Sequence, residues 1–263
     1  MQSIQQLLTI IKRLRDPING CEWDRVQTFE SIKACTLEET YEVLDAIDQK
    51  NFMELKSELG DLLFQIIFYA EMADEQKKFN FDDVCKTLAE KLTSRHPHIF
   101  THPNTAKVPW EAIKQQERDQ KQQFSILDDI PHSLPALMRA EKIQKRCAAV
   151  GFDWDTLGPV IDKVKEEIDE VIAEVEQQPP VTEKVEEEVG DLLFAVVNLT
   201  RHLGLKSELT LHKANQKFER RFRQVEDKLK AKGYQLSDVS LEEMEQAWQD
   251  IKLQEQQNSN IRK

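Results

Sequence analysis

The sequence predicts an all-α protein built from two tandem copies of one helical-bundle domain. Three observations carry that prediction. Apolar residues recur every three to four positions along almost the whole chain, which is the helical period. Only 7 of the 263 residues are Gly while Leu, Glu, Lys, Gln and Ala abound, a composition that favours helix. Four blocks also recur in the same order. GCEWD at Gly20 returns as GFDWD at Gly151, and LEETYEVLDAI from Leu37 returns as KEEIDEVIAEV from Lys165. SELGDLLFQII from Ser57 returns as EEVGDLLFAVV from Glu187, and WEAIKQQE at Trp110 as WQDIKLQE at Trp248. Ordered self-similarity of this kind marks a duplicated structural unit. The expected boundaries are an N-terminal copy in 1–120, a linker in 121–135 and a C-terminal copy in 136–263.

Each element follows from local signals. Ile4, Leu7, Leu8, Ile11 and Leu14 give a first helix that stops near Asp16-Pro17. A second, from Phe29 to Asp48, carries Leu37, Tyr41, Leu44 and Ile47 as its apolar stripe. Asn51 with Glu54 caps a third, whose expected buried stripe is Leu55, Leu59, Leu62, Ile66 and Tyr69. Asn80 caps a fourth reaching Arg95, and Pro109 suits the first turn of a fifth through Trp110, Ile113 and Lys114. Pro131 and Pro135 mark the linker. Helix resumes from Leu137 to Val150, breaks at GFDWD and continues from Thr156 to Glu176. The next is expected to be capped at Thr182 and to run to His202, burying Val185, Val189, Leu192, Val196, Leu199 and Leu203. A long helix spans Ser207 to Lys230. Ser240 with Glu243 forms a capping box for the last one, which holds Met244, Trp248 and Ile251, and the tail from Gln254 to Lys263 reads as frayed.

Composition excludes several functions. Hydrophobic content of 40% with 32% charged residues describes a folded soluble chain. A net charge of −12 opposes nucleic acid as the partner, since binding it needs a basic face. No apolar run approaches the ~20 residues of a membrane span. MQSIQQLLTIIKRLR lacks the apolar block of a signal peptide, and Cys21, Cys35, Cys85 and Cys147 form no C-x-x-C pair. The expected location is cytoplasmic, with reduced thiols.

The chemistry lies in the acids. Glu166-Glu167-x-x-Glu170 and Glu188-x-x-Asp191 place carboxylates three residues apart, on one face of each of two consecutive helices. Alone, such a run is most often a solvated face. Here a short loop can fold the two helices together, which is how bundle metal sites are built. Gly190 stands between the second pair, although a mid-helix Gly costs about 1 kcal/mol against Ala, which suggests close approach of a backbone or ligand. Clustered carboxylates beside dense apolar sequence bind a cation or shift their pKa. All-oxygen ligands favour Mg²⁺, with Mn²⁺ as the alternative, over Zn²⁺. Lys217 and Arg221, four apart, share a face that could clamp phosphates; ordinary surface charge is the competing reading. His96, His98 and His102 read as loop histidines and not as a zinc site.

With E-E-x-x-E, E-x-x-D and GDLLF duplicated along its length, the chain resembles the MazG family of nucleoside triphosphate pyrophosphohydrolases, which belong to the all-α NTP pyrophosphatase superfamily. The resemblance implies a homodimer and Mg²⁺-dependent hydrolysis of nucleoside triphosphates, dNTPs included, to NMP and pyrophosphate. It implies that Glu167, Glu170, Glu188 and Asp191 hold the metal with Glu166 adjoining, and that Lys163, Lys217, Arg221 and Trp248 contact the nucleotide. Glu166 and Glu167 are the candidates for general base. Aligning the copies matches Glu38, Glu39, Glu42, Glu58 and Asp61 with these acids, and Lys91 and Arg95 with Lys217 and Arg221. But Cys35, Phe68 and Ala89 stand where Lys163, Asn198 and Asn215 are. The N-terminal copy is therefore expected to form a second acid site with weak or no activity, and Asn198 and Asn215 to border the nucleotide in the C-terminal one. The alternatives are a narrower dNTP pyrophosphatase, such as one limited to a pyrimidine dNTP, and a non-enzymatic helical interaction protein.

Overall fold

No strand forms among the described residues (2–100, 113 and 125–261) of the computed structural model, and the chain divides into two units, Met1–Ile113 and Lys114–Lys263.

The N-terminal unit runs α1 (Gln2–Leu14), α2 (Lys33–Asp48), α3 (Phe52–Glu75), α4 (Phe81–Arg95) and the short α5 (Pro97–Phe100). Asn51 Oδ1 caps α3 by accepting from Glu54 N at 3.2 Å. Asn80 and Asp83 exchange both bonds of a capping box on α4. Helix α2 starts later than Phe29 because Thr28 and Ser31 bond each other's backbone N–H, at 2.9 and 3.2 Å, in a hydroxyl turn that competes with helix. The helix expected from Pro109, the linker up to residue 124 and His102 lie outside the described residues, apart from a helical Ile113.

The buried cluster is Ile11, Ile32, Ile67, Phe68 and Met72. This corrects the expected stripes. Leu59 and Ile66 on α3, and Leu37, Tyr41 and Ile47 on α2, are exposed, while Ala46 is buried. Leu62 to Tyr69 is apolar almost all round, so its period alone cannot choose the face that meets α1.

Arg15 closes this core from its edge. Its guanidinium bonds both oxygens of Glu75, at 2.6 and 2.7 Å, and the Asp24 carbonyl at 2.6 Å, and stands 5.0 Å over the Phe68 ring. Removing a buried partner leaves these acceptors unmet. Because Glu75 is partly exposed, Arg15→Met is expected to cost about 2–4 kcal/mol in urea denaturation, somewhat under the usual loss for a broken buried pair.

The C-terminal unit runs α6 (Ala136–Ala149), α7 (Leu157–Val175), α8 (Thr182–His202), α9 (Ser207–Ala231) and α10 (Leu241–Ile261). Val181, and not Thr182, is the cap position of α8, and it makes no side-chain bond. Ser240 and Glu243 form the capping box of α10. Residues 254–261 continue that helix where a frayed tail was expected, and 262–263 lie outside the described residues. Helices α7 and α8 pack along each other across a loop of six residues, 176–181. Val225, Leu229, Val239, Ala247 and Ile251 form a second core, with Trp248 packed against it. On α8, Val189, Val196 and Leu203 from the expected stripe are exposed, and Ala195 and Val197 are buried instead. Exposed apolar side chains also line α7 at Ile161, Ile168 and Ile172, and α8 at Leu193.

Candidate active site

The loop between α6 and α7 is set by one glycine. Gly151, at φ +88°, ends α6 in a left-handed turn, with Phe152 N bonded to Cys147 O and Gly151 N to Ala148 O, both at 3.0 Å. That turn sends Phe152, Asp153 and Trp154 out beside the α7–α8 pair. Asp153 then anchors the loop to the end of α8 through Arg201 and His202, the latter at 2.9 Å. Burial pushes the Asp153 carboxyl up, but the bonds from Arg201 and His202 outweigh it and hold its pKa below the usual carboxylate value.

A cavity of about 600 Å³ opens there, a size typical of small-molecule sites. Lys163, Glu167, Asp191 and Asn198 line it, as do Gln144, Phe152, Trp154, Phe194 and Arg201. Glu167 is only 4% exposed. Lys163 reaches Glu166 at 2.8 Å and Glu167 at 2.7 Å, one helical turn away, and these bonds raise its pKa, so it stays charged. Asn198 Oδ1 accepts twice from Arg201, from Nε at 3.0 Å and Nη2 at 2.8 Å.

One carboxylate oxygen from each of Glu167, Glu170 and Glu188 lies within 4.8 Å of the other two. Asp191 faces the cavity but stands outside that set, and so does Glu166, which the structure gives to Lys163. Partial loss of water, then the charge of Glu167, raises the Glu170 pKa; Glu188 is raised by loss of water and then by Asp191. The donors fit a hard divalent cation. All are carboxylate oxygens whose mutual repulsion such an ion relieves, and opposite ligands of octahedral Mg²⁺ at about 2.1 Å stand about 4.2 Å apart. Among the described residues, a Cβ on Gly190 would meet no atom within 4 Å beyond its own stretch of helix, so no neighbouring backbone there accounts for the glycine.

The N-terminal unit repeats the converging acids. Oxygens of Glu39, Glu58 and Asp61 converge within 4.8 Å, with Glu38 and Glu42 outside the set. Loss of water first, and then Asp61, raises the Glu39 pKa, and Glu58 is raised by loss of water and by Glu42. Phe68 and Gln65, at the positions of Asn198 and Ala195, are buried. Lys91 and Arg95 lie on α4.

Not every expected nucleotide contact meets at the cavity. Lys163 and Asn198 line it; Asn215, Lys217, Arg221 and Trp248 do not. Asn215 and Lys217 are exposed on α9. Arg221 bonds Glu255 at 2.8 Å and stands 5.9 Å over Trp248, whose ring also meets Phe218 at 5.1 Å. Within the described chain Trp248 is thus a packing residue, as its place against the second core requires.

The model of the MazG nucleotide pyrophosphohydrolase domain matches residues 27–100 and again 157–226. The chain belongs to the MazG family. It is 60% identical over 260 residues to the nucleoside triphosphate pyrophosphohydrolase of Escherichia coli (strain K12), covering 97% of this chain and 99% of that one. It is 42% identical over 249 residues to the nucleoside triphosphate pyrophosphohydrolase/pyrophosphatase MazG of Thermotoga maritima, covering 94% and 95%. Both MazG segments contain the acids of their unit. Gln144, Phe152, Asp153 and Trp154 lie outside the second segment, and sequence spacing alone gives them no role at the site. The duplicated G-x-[ED]-W-D block was the available signal for the loop; nothing in the sequence singled out Gln144.

Proposed function

We propose that the C-terminal unit hydrolyses nucleoside triphosphates, dNTPs included, at the α-phosphorus, releasing nucleoside monophosphate and pyrophosphate. The observation that carries this reading is the convergence of Glu167, Glu170 and Glu188 on the rim of a cavity that also holds a charged lysine and an oriented asparagine. Glu167, Glu170 and Glu188, with Asp191 beside them, would hold Mg²⁺. When bound, it neutralises phosphate charge and lowers the pKa of a coordinated water. Lys163 faces the phosphates from its ion pairs with Glu166 and Glu167. A water oxygen bonds to the α-phosphorus, the bond from that phosphorus to the bridging oxygen breaks, and pyrophosphate leaves with the electron pair. The water's proton passes to a glutamate; Glu167 lines the cavity and Glu166 does not, which favours Glu167. Lys217 and Arg221 lie on α9 outside the cavity lining, and Arg221 would meet a phosphate only by giving up Glu255.

The protein works as a cytoplasmic homodimer in this reading. Ile161, Ile168 and Ile172 recur at spacings of seven and four on α7, and Val189, Leu193 and Val196 at four and three on α8. All six are exposed, so each helix shows a continuous apolar stripe that a second copy would cover. Among the described residues no helix is long and apolar enough to cross a membrane.

A pyrophosphate-release assay over all NTPs and dNTPs tests the reading. Release is expected with Mg²⁺ and should stop with EDTA. Orthophosphate as the product, or no release from any nucleotide, would overturn it; turnover confined to one pyrimidine dNTP would select the narrower enzyme.

A further inference from the structure

Among the described residues, a buried polar atom without a partner lies at this cavity. Gln144, on α6, is 8% exposed, and its Nε2 donates to the Phe194 carbonyl at 2.8 Å. Its Oε1 is buried without a partner. Turning the amide over would set Oε1 against the Phe194 carbonyl oxygen, so the Nε2 bond fixes the orientation. Gln144 therefore offers the cavity an unmet acceptor.

The surroundings complete a pattern. Phe152 lines the cavity yet is 81% exposed, held in water by the Gly151 turn and the Asp153 anchor, and Trp154 lies beside it. On the α8 side, Arg201 occupies Asn198 Oδ1 twice, which leaves Nδ2 as that side chain's donor. Flat apolar faces with one acceptor and one donor match the faces and edge of a nucleobase. The other copy has Arg13 where Gln144 stands, counting from the matched glycines of the two blocks.

We propose that this cavity is the nucleobase seat and that Gln144 Oε1 accepts a hydrogen bond from an amino or imino N–H of the base. The assignment rests on the triphosphate reading above, which puts the phosphates at Lys163 and the acids. A buried acceptor left unmet costs binding, so the site discriminates against a base that lacks a donor on its pairing edge. Adenine presents an amino group there, and unsubstituted purine presents none.

AMP and purine riboside 5′-monophosphate are titrated calorimetrically into the full chain, as wild type and as Gln144→Met, with pyrophosphate release from ATP measured in parallel. Wild type is expected to bind AMP about 3–10-fold more tightly, the net worth of one neutral hydrogen bond. In Gln144→Met the two ligands should bind alike, with kcat for ATP nearly unchanged and KM raised. The same AMP preference in both proteins, or none in wild type, overturns the assignment. Should Gln144→Met fail to fold, Phe152→Ala serves, because its ring is too exposed to support the core. It should weaken both ligands several-fold, and unchanged affinity would count against the seat. A wild type that prefers AMP but releases no pyrophosphate would remove the hydrolase reading and keep the base seat.

Discussion

Glu167→Gln is expected to reduce pyrophosphate release at least about 100-fold, because even residues that merely support metal ligands cost roughly 10–100-fold when changed. Three roles meet in this carboxylate. It is one of the three converging oxygens, it lines the cavity, and it binds Lys163 at 2.7 Å. Gln keeps the shape but halves the acceptor capacity and removes the charge, so the proposed cation would lose a ligand charge and Lys163 loses a counterion. Glu39→Gln, its counterpart, should leave release within about twofold, since a metal ion that meets no phosphate performs no chemistry. Cys35 replaces the lysine there, and Phe68 replaces the asparagine. Steady-state kinetics of the two variants with ATP, together with circular dichroism to verify folding, measures the contrast. Equal losses would show that both copies hydrolyse nucleotide.

The acids were legible because three-residue spacing on a helix is a local fact, and duplication made it improbable that such spacing was mere surface charge. The caps at Asn51, Asn80 and Ser240 were legible for the same reason, since each cap reaches only three residues ahead. The buried face of α3 was not. A helix apolar on several sides takes its orientation from its neighbours, here α1 and Arg15, which lies 60 residues from its partner Glu75. Gln144 was illegible too, because the bond that orients it crosses 50 residues to Phe194. Trp248 was read through resemblance as a nucleotide contact; within the described chain its neighbours are Phe218, Arg221 and a core.

Asn198→Phe should close the C-terminal cavity by giving it the residue of the N-terminal copy. Phe68 shows what the ring does in this fold. It is 1% exposed, packs 5.2 Å from Phe64, and lies under the Arg15 guanidinium as part of the buried cluster. At position 198 a phenyl ring would take up space in the cavity that Asn198 lines and remove both hydrogen bonds that Arg201 makes to Oδ1. Arg201 keeps Asp153, so the loop stays anchored and the fold should survive. The expected result is a native circular dichroism spectrum with kcat/KM for ATP lowered about 100-fold or more, mostly through KM, as for a lost ground-state contact plus a blocked pocket. Asn198→Asp separates the two effects. It keeps the size and the acceptor for Arg201 but loses the Nδ2 donor and adds a negative charge, so its loss should be at least about tenfold, the scale of one hydrogen bond, without blocking the cavity. The reverse change, Phe68→Asn, should destabilise the N-terminal unit by about 3–5 kcal/mol, as for truncating a buried phenyl ring, without creating hydrolysis. Gln65 and Cys35 would still occupy the places of Ala195 and Lys163, so opening one position leaves the cavity without its floor and its cation. If Asn198→Phe retained wild-type KM, the nucleotide would have to bind elsewhere on the C-terminal unit, and α9 with Lys217 and Arg221 would become its first candidate.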